Sequence, residues 1–384
     1  MVFYHRQGEL PKKRHTVFMK DGKLMREEVF GLNGFNGRYS LLYHLNPPTR
    51  IMKLGEWKSN TIGEWKDAEY RHHKLSTSKL RKSSDVFLDR IALIFNDNLI
   101  ISFSKVDEGD TKLFYRNADF DEIYYVHSGE ILFKSVFGEI EVKEGDYLVI
   151  PRGTTYTLSF KKNAELFIIE GKQIEVPKDY RNEYGQLVEG SFYYNRDLKL
   201  PVLRTYDENG NYKLVIKTVN GFQLVELDTH PFDVVGWDGY LYPFALSVYD
   251  LEPITGKLHQ PPTAYTTFAA DDFVVCTFVP RLFDYHPQSV PISYYHNNID
   301  AEEIIFYSSG QFMSRRGINK GDITLHRGGH IHGPQPSAVE ASLNKRGTYN
   351  DEVAIMVETQ KRVKVSIYAK EIDDPTYPLS WYTS

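Results

Sequence analysis

Cysteine is nearly absent. Cys276 is the only one in 384 residues, so no disulfide framework can form within the chain and a thiolate metal cage is excluded. Cys276 sits in the apolar run Phe273-Val274-Val275-Cys276-Thr277-Phe278, which reads as a buried, inert thiol. No apolar window approaches the roughly 20 residues needed to span a bilayer. The first residues carry no continuous apolar stretch of the signal-peptide kind, so the default expectation is a cytoplasmic, reducing location. A basic excess is missing too. The net charge of −5 supplies no field for nucleic acid, and no long block of either sign is present. Segments with a helical period and caps are few.

Aromatic residues are abundant, with 27 Tyr and 23 Phe. Together with Val, Ile, Gly and Pro they favour strands. Short β-rich runs at 91–95, 130–133, 147–150, 165–169 and 363–369 are separated by Gly, Asn and Asp. Asp21-Gly22 and Asn209-Gly210 read as hairpin turns, and 31–37 as a looped strand pair. The tail from Asp373 has little periodicity and is expected to wrap the surface.

One internal repeat organises the chain. Asp121-Glu122-Ile123-Tyr124-Tyr125-Val126-His127-Ser128-Gly129 parallels Glu302-Glu303-Ile304-Ile305-Phe306-Tyr307-Ser308-Ser309-Gly310. Each copy leads to a Gly-Asp step and another strand, at Gly145-Asp146 and Gly321-Asp322. This resembles the cupin pattern, so the expected fold is all-β, with two jelly-roll barrels. The expected division is an N-terminal strand-rich extension at 1–90, a metal-free first cupin with a linker at 91–235, and a second cupin with the C-terminal tail at 236–384.

Alternate strand residues share a face, so ligands at matched spacings can converge inside a barrel. In the second copy the pattern offers His296, with Asn298 at the paired position. Glu303 stands seven residues before Gly310, as Glu122 does before Gly129, and this favours it over Glu302. His332 lies eleven residues past Gly321. Two imidazoles and one carboxylate leave coordination positions open and suit non-haem Fe(II), although Mn, Ni and Zn accept the same donors. His330, two residues from His332, is expected to share its cavity. In the first copy the corresponding positions are Tyr115, Asn117, Glu122 and Tyr156, with no imidazole left. Isolated histidines, His44 and His72 among them, read as satisfied polar residues.

The stretch Ser293-Tyr294-Tyr295-His296-Asn297-Asn298, His332-Gly333-Pro334 and Phe232-Asp233-Val234-Val235-Gly236-Trp237 resemble the homogentisate 1,2-dioxygenase family. Asn46-Pro47-Pro48-Thr49 and Gly34-Phe35-Asn36-Gly37 are similar to its shorter bacterial members. The resemblance implies Fe(II) held by His296, Glu303 and His332. It also implies ring opening of homogentisate to maleylacetoacetate in tyrosine and phenylalanine breakdown. His259 maps onto the family's base, and His326 onto its histidine beside the ligands. Tyr295, His326 and His330 are the expected substrate contacts, with His259, His326 and His330 catalytic. The open metal face would take the ring hydroxyl and the substrate carboxylate. Two positions depart from the family: Asp238 follows Gly236-Trp237 where many members have His, and Phe312 stands at a family tyrosine. Both bear on the substrate. Other readings are a dioxygenase for a gentisate- or hydroquinone-like acid, or a non-enzymatic cupin binding protein. The expected partners are a small aromatic acid and O2. The aromatic surplus fits a homo-oligomer, although core packing explains it as well.

Overall fold

A computed structural model describes residues 3–312, 314, 315 and 317–382, and it is built almost entirely of strands. The larger of two main sheets has 14 strands. Its axis is the antiparallel pair Asp121–Ser135 and Tyr156–Gly171, matched from Asp121↔Gly171 to Ser135↔Tyr156. A bulge interrupts the pair between Val126 and Ile131. There Gly129 takes a φ of 102°, and a Cβ on it would lie 2.7 Å from the Ala164 Cβ. Only glycine fits such a position. Across the bulge the inward residues switch from even numbers (Tyr124, Val126) to odd ones (Ile131, Phe133), as an inserted residue requires. The strands curl, and Tyr156–Gly171 pairs with Leu99–Val106 at one end and with Phe114–Asn117 at the other.

The second sheet runs Thr266–Ala269, Phe273–Phe278, Val353–Thr359, Glu302–Ser309, Asp322–His326 and His73–Ser76. Across from it, the loops around His296 and His332 meet in one isolated bridge, with backbone N–H···O bonds of 2.8 and 2.9 Å. The two cupins share a core in which Phe167 stacks on Phe306 at 4.6 Å and the Tyr125 hydroxyl meets Ser308 at 2.7 Å. Tyr124 faces the first barrel's interior and Tyr125 this shared core. Burial on both faces explains the unbroken apolar run in the repeat.

The fold is thus the expected all-β bicupin, with several local differences. Asp21-Gly22 is a tight turn between Met19–Lys20 and Lys23–Leu24, with both φ values positive. Asn209-Gly210, in contrast, lies at the irregular start of the strand Asn209–Thr218, where the register shifts against its partner. The run at 363–369 gives only the strand Lys364–Val365 before the chain turns into the helix Ile367–Ile372. The sheets do not divide at 235/236, because Phe244–Ser247 pairs with Asp146–Ile150 of the first cupin. Nor do residues 1–90 merely pack outside the barrels: His73–Ser76 is the edge strand of the second sheet. The tail turns inward, burying Tyr377. Among the described residues, no helix is long and apolar enough to cross a membrane.

Candidate metal centre

Glu303 begins an inward-facing row on the strand Glu302–Ser309, and Ile305 and Tyr307 follow it on the wall of one cavity. Glu302 faces the other way, onto Arg327 at 3.2 Å and the Val363 N–H at 2.7 Å. The alternation therefore leaves Glu303 as the carboxylate available to the cavity. The His296–His332 bridge brings two imidazoles to it. His296 Nε2 lies 3.8 Å and His332 Nε2 3.7 Å from the Glu303 oxygens. Ligand atoms of the three residues all lie within 4.8 Å of one another.

The hydrogen bonds prepare both rings as ligands. His296 Nδ1–H donates to the Tyr294 carbonyl and His332 Nδ1–H to the His330 carbonyl, each at 3.0 Å. A carbonyl can only accept, so the proton resides on Nδ1 and the Nε2 lone pair points at Glu303. His332 Nε2 is buried with no hydrogen-bond partner. A buried acceptor without a donor is costly unless something electropositive meets it. The donor set and this orphaned atom fit a divalent cation. Burial opposes ionisation of Glu303, but its contacts to His296 and His326 hold the carboxyl well below the usual range. Attraction to Glu303 raises the His296 pKa, whereas burial dominates at His332 and lowers it.

Behind Glu303 stands His326, fully buried. Its Nδ1–H donates to Glu303 Oε1 at 2.6 Å, and Tyr377 O–H donates to its Nε2 at 2.9 Å. Burial drives its pKa well down despite Glu303, so it stays neutral. His326, expected to touch substrate, does not line the cavity: it orients the Glu303 carboxylate from behind. His259 does reach the cavity wall. Its Nδ1 is 3.8 Å from Asp284, its Nε2 is buried without a hydrogen-bond partner, and burial lowers its pKa.

Two expected contacts are not brought together with the rest. His330 is exposed and packs against Tyr70 and His72, outside the cavity. The residues around it form no continuous strand, so alternation does not carry it to the face of His332. Tyr295 is 57% exposed and lies against Gly333. Three neighbours were not legible in the sequence. His72 packs its ring on His326 and His332, with a pKa pushed down to about 4 by burial and by His332 and His330. Tyr377 arrives from the tail. Arg315 lines the cavity; it follows an irregular loop that no period marks. The cavity, about 80 Å³, is otherwise walled largely by Phe278, Phe283, Ile292 and Ile305.

In the first barrel, Glu122 occupies the matching place. Tyr115 pairs with Tyr156 as His296 does with His332. Glu122 accepts from Arg90 at 2.9 Å, Tyr156 at 2.7 Å and Tyr115 at 3.2 Å.

Fold and site together define a bicupin with, among the described residues, one candidate metal centre, in the second barrel. Comparison with known proteins then gives the family. Residues 92–251 match the family model described as homogentisate 1,2-dioxygenase N-terminal, and 248–383 match its C-terminal counterpart. The chain belongs to the homogentisate 1,2-dioxygenase family. The homogentisate 1,2-dioxygenase of Rhizobium meliloti (strain 1021) is 26% identical over 408 residues, covering 95% of this chain and 87% of that protein. That of Legionella pneumophila (strain Corby) is 23% identical, covering 92% and 89%. A solved cupin 2 conserved barrel domain protein from Leptotrichia buccalis is 9% identical, covers 75% of this chain and 96% of that one, and has a TM-score of 0.35.

Proposed function

We propose that this protein is an Fe(II)-dependent dioxygenase that opens the ring of homogentisate to maleylacetoacetate, in the breakdown of tyrosine and phenylalanine. The observation that carries the reading is the triad itself: two imidazoles with free Nε2 lone pairs and one ionised carboxylate, at the wall of a cavity lined by aromatic and aliphatic side chains together with Arg281, Arg315 and Glu352. His296, Glu303 and His332 would hold the iron. When bound, the iron would acidify the ring hydroxyl and let the electron-rich ring react with O2, both of whose atoms enter the product.

The chain's own residues supply position and proton handling. Phe278, Phe283, Ile292 and Ile305 hold the ring flat and exclude water. His259, neutral and with an unpartnered Nε2, accepts the hydroxyl proton there. Tyr377 and His326 fix Glu303 so that its free oxygen, Oε2, stays turned to His296. Oxygen uptake with homogentisate by anaerobically iron-loaded protein, with the ultraviolet spectrum of the product, tests the reading. Absence of uptake with the site loaded contradicts it.

A second reading keeps the iron and changes the acid. It is favoured by Phe312, a tyrosine in the family, which packs its ring on Tyr307 at 4.9 Å. A phenyl ring offers no hydroxyl to a substrate. Gentisate and hydroquinone in the same oxygen assay separate the two.

A further inference from the structure

The arginines buried around the two barrels are not alike. Arg90 has Glu122 at 2.9 Å and Arg327 has Glu302 at 3.2 Å. Arg315, only 9% exposed, has no carboxylate within ion-pair distance among the described residues. Its Nη1 donates to the carbonyls of Gly333 and Ser314, its guanidinium lies 5.6 Å over Trp381, and its buried Nε has no partner. An arginine buried to this degree is normally paired. Its charge acts on Glu303, Glu352 and Tyr307 and on the imidazoles of His296, His326 and His332, so it belongs to the metal-site cavity. Arg281, the other cation on that wall, is only half-buried, stacks on Tyr265 and Phe278, donates to the Val279 carbonyl at 3.1 Å, and leaves no buried donor unpaired.

We propose that Arg315 is the anchor for the substrate's carboxylate, so that the site selects arylacetate-type acids and the carboxylate is held by the guanidinium rather than by the metal. The proposal rests on the ring-cleaving reading above. A divalent ion offset by one Glu303 carboxylate leaves one positive charge and Arg315 adds a second, while Arg281 and Glu352, the further ionisable pair on that wall, are of opposite sign. That balance suits a ligand that presents a phenolate and a carboxylate at once. The guanidinium fork matches a carboxylate in a way that a point charge does not, and the apolar walls accept the ring between. An arriving carboxylate also gives the orphaned donor its partner.

The test uses Arg315→Met and Arg315→Lys in the full chain, with homogentisate and its methyl ester as probes. Dissociation constants come from calorimetry on the metal-free protein, and KM and kcat from the iron-loaded protein. Arg315→Met should raise Kd and KM for the acid by at least about 30-fold and leave those of the ester unchanged, with metal content intact. Arg315→Lys, which keeps the charge without the fork, should retain part of the preference for the acid. Equal losses for acid and ester, loss of metal, or an unchanged acid constant would each overturn the proposal and leave Arg315 as a support for the Gly333 loop. The two readings fail separately. A wild type that binds acid over ester through Arg315 but does not cleave homogentisate keeps the anchor and loses the substrate. Cleavage with no change in the acid-to-ester ratio does the reverse.

Discussion

At one position in each barrel a buried glutamate faces the interior, and the surroundings of the two could hardly differ more. The register makes the match residue by residue. Tyr115 and Tyr156 bridge where His296 and His332 bridge, and Glu122 pairs with Ile150 where Glu303 pairs with His326. Asn117 donates to Glu170 where Asn298 donates to Glu358. In the first barrel the carboxylate is satisfied by Arg90 and two phenols, and the guanidinium lies 5.3 and 5.6 Å over the rings of Tyr115 and Tyr124. That cation is covalently attached and cannot be exchanged. In the second barrel the carboxylate meets two imidazole lone pairs, and among the described residues no arginine or lysine pairs with it at ion-pair distance. His296 is 25% exposed at its side chain, and Glu303 is backed by His326 and Tyr377 instead of Ile150. The fold supplies a buried carboxylate twice; the residues opposite decide whether it closes a structural ion pair or awaits an exchangeable ion.

Variants can break this contrast. The largest effect is expected from His296→Ala or His332→Ala, which should abolish homogentisate-dependent oxygen uptake. Tyr156→Phe, at the position matching His332, should leave turnover unchanged. Next, Glu122→Gln should lower stability by about 3 kcal/mol, because a buried Arg90 loses one of its two carboxylate partners. Urea denaturation would measure that loss, and turnover should persist in the folded variant.

Buried histidines sharpen the comparison. His44, outside the metal centre, is held by Asp233 at 2.7 Å and Glu28 at 2.8 Å. Burial opposes its charge, but these carboxylates prevail and raise its pKa to about 9. His326 has one carboxylate and one phenol and stays neutral. A folded-state pKa above the unfolded value gives stability that is fully present below about pH 6.5 and is lost as pH rises through about 9. The unfolding free energy from urea titration should therefore fall across that window by roughly 3 kcal/mol more in the wild type than in His44→Gln. Equal slopes would exclude a charged His44. The smallest effect is expected from Tyr377→Phe, which frees His326 Nε2. It should weaken metal affinity by about tenfold, read by competition with a chelator, and leave the fold intact.

The sequence carried the parts of this picture that are local. The repeat places Glu122 and Glu303 at one offset from their glycines, and strand alternation separates Glu303 from Glu302. Alternation misled where no strand exists: His330 packs on Tyr70 and His72 outside the cavity. Tyr295, expected from the family resemblance, is exposed. The first barrel's pairings of Tyr115, Glu122 and Tyr156 follow from the same offsets, but Arg90, which takes the ion's place, lies upstream of the motif in a segment with no matching copy. His72, Arg315 and Tyr377 reach the candidate site from loops and from the tail, across separations that leave no periodic mark. Contacts of that kind are fixed by tertiary packing, not by the pattern of neighbours in the chain.

The metal-to-chain ratio of anaerobically iron-loaded protein, compared between Glu303→Gln and Glu122→Gln, bears most directly on the division between the barrels. We expect about one iron per chain in the wild type, none in Glu303→Gln and about one in Glu122→Gln. Retention of iron by Glu303→Gln, or its loss from Glu122→Gln in a folded protein, would contradict the assignment of the ion to the second barrel.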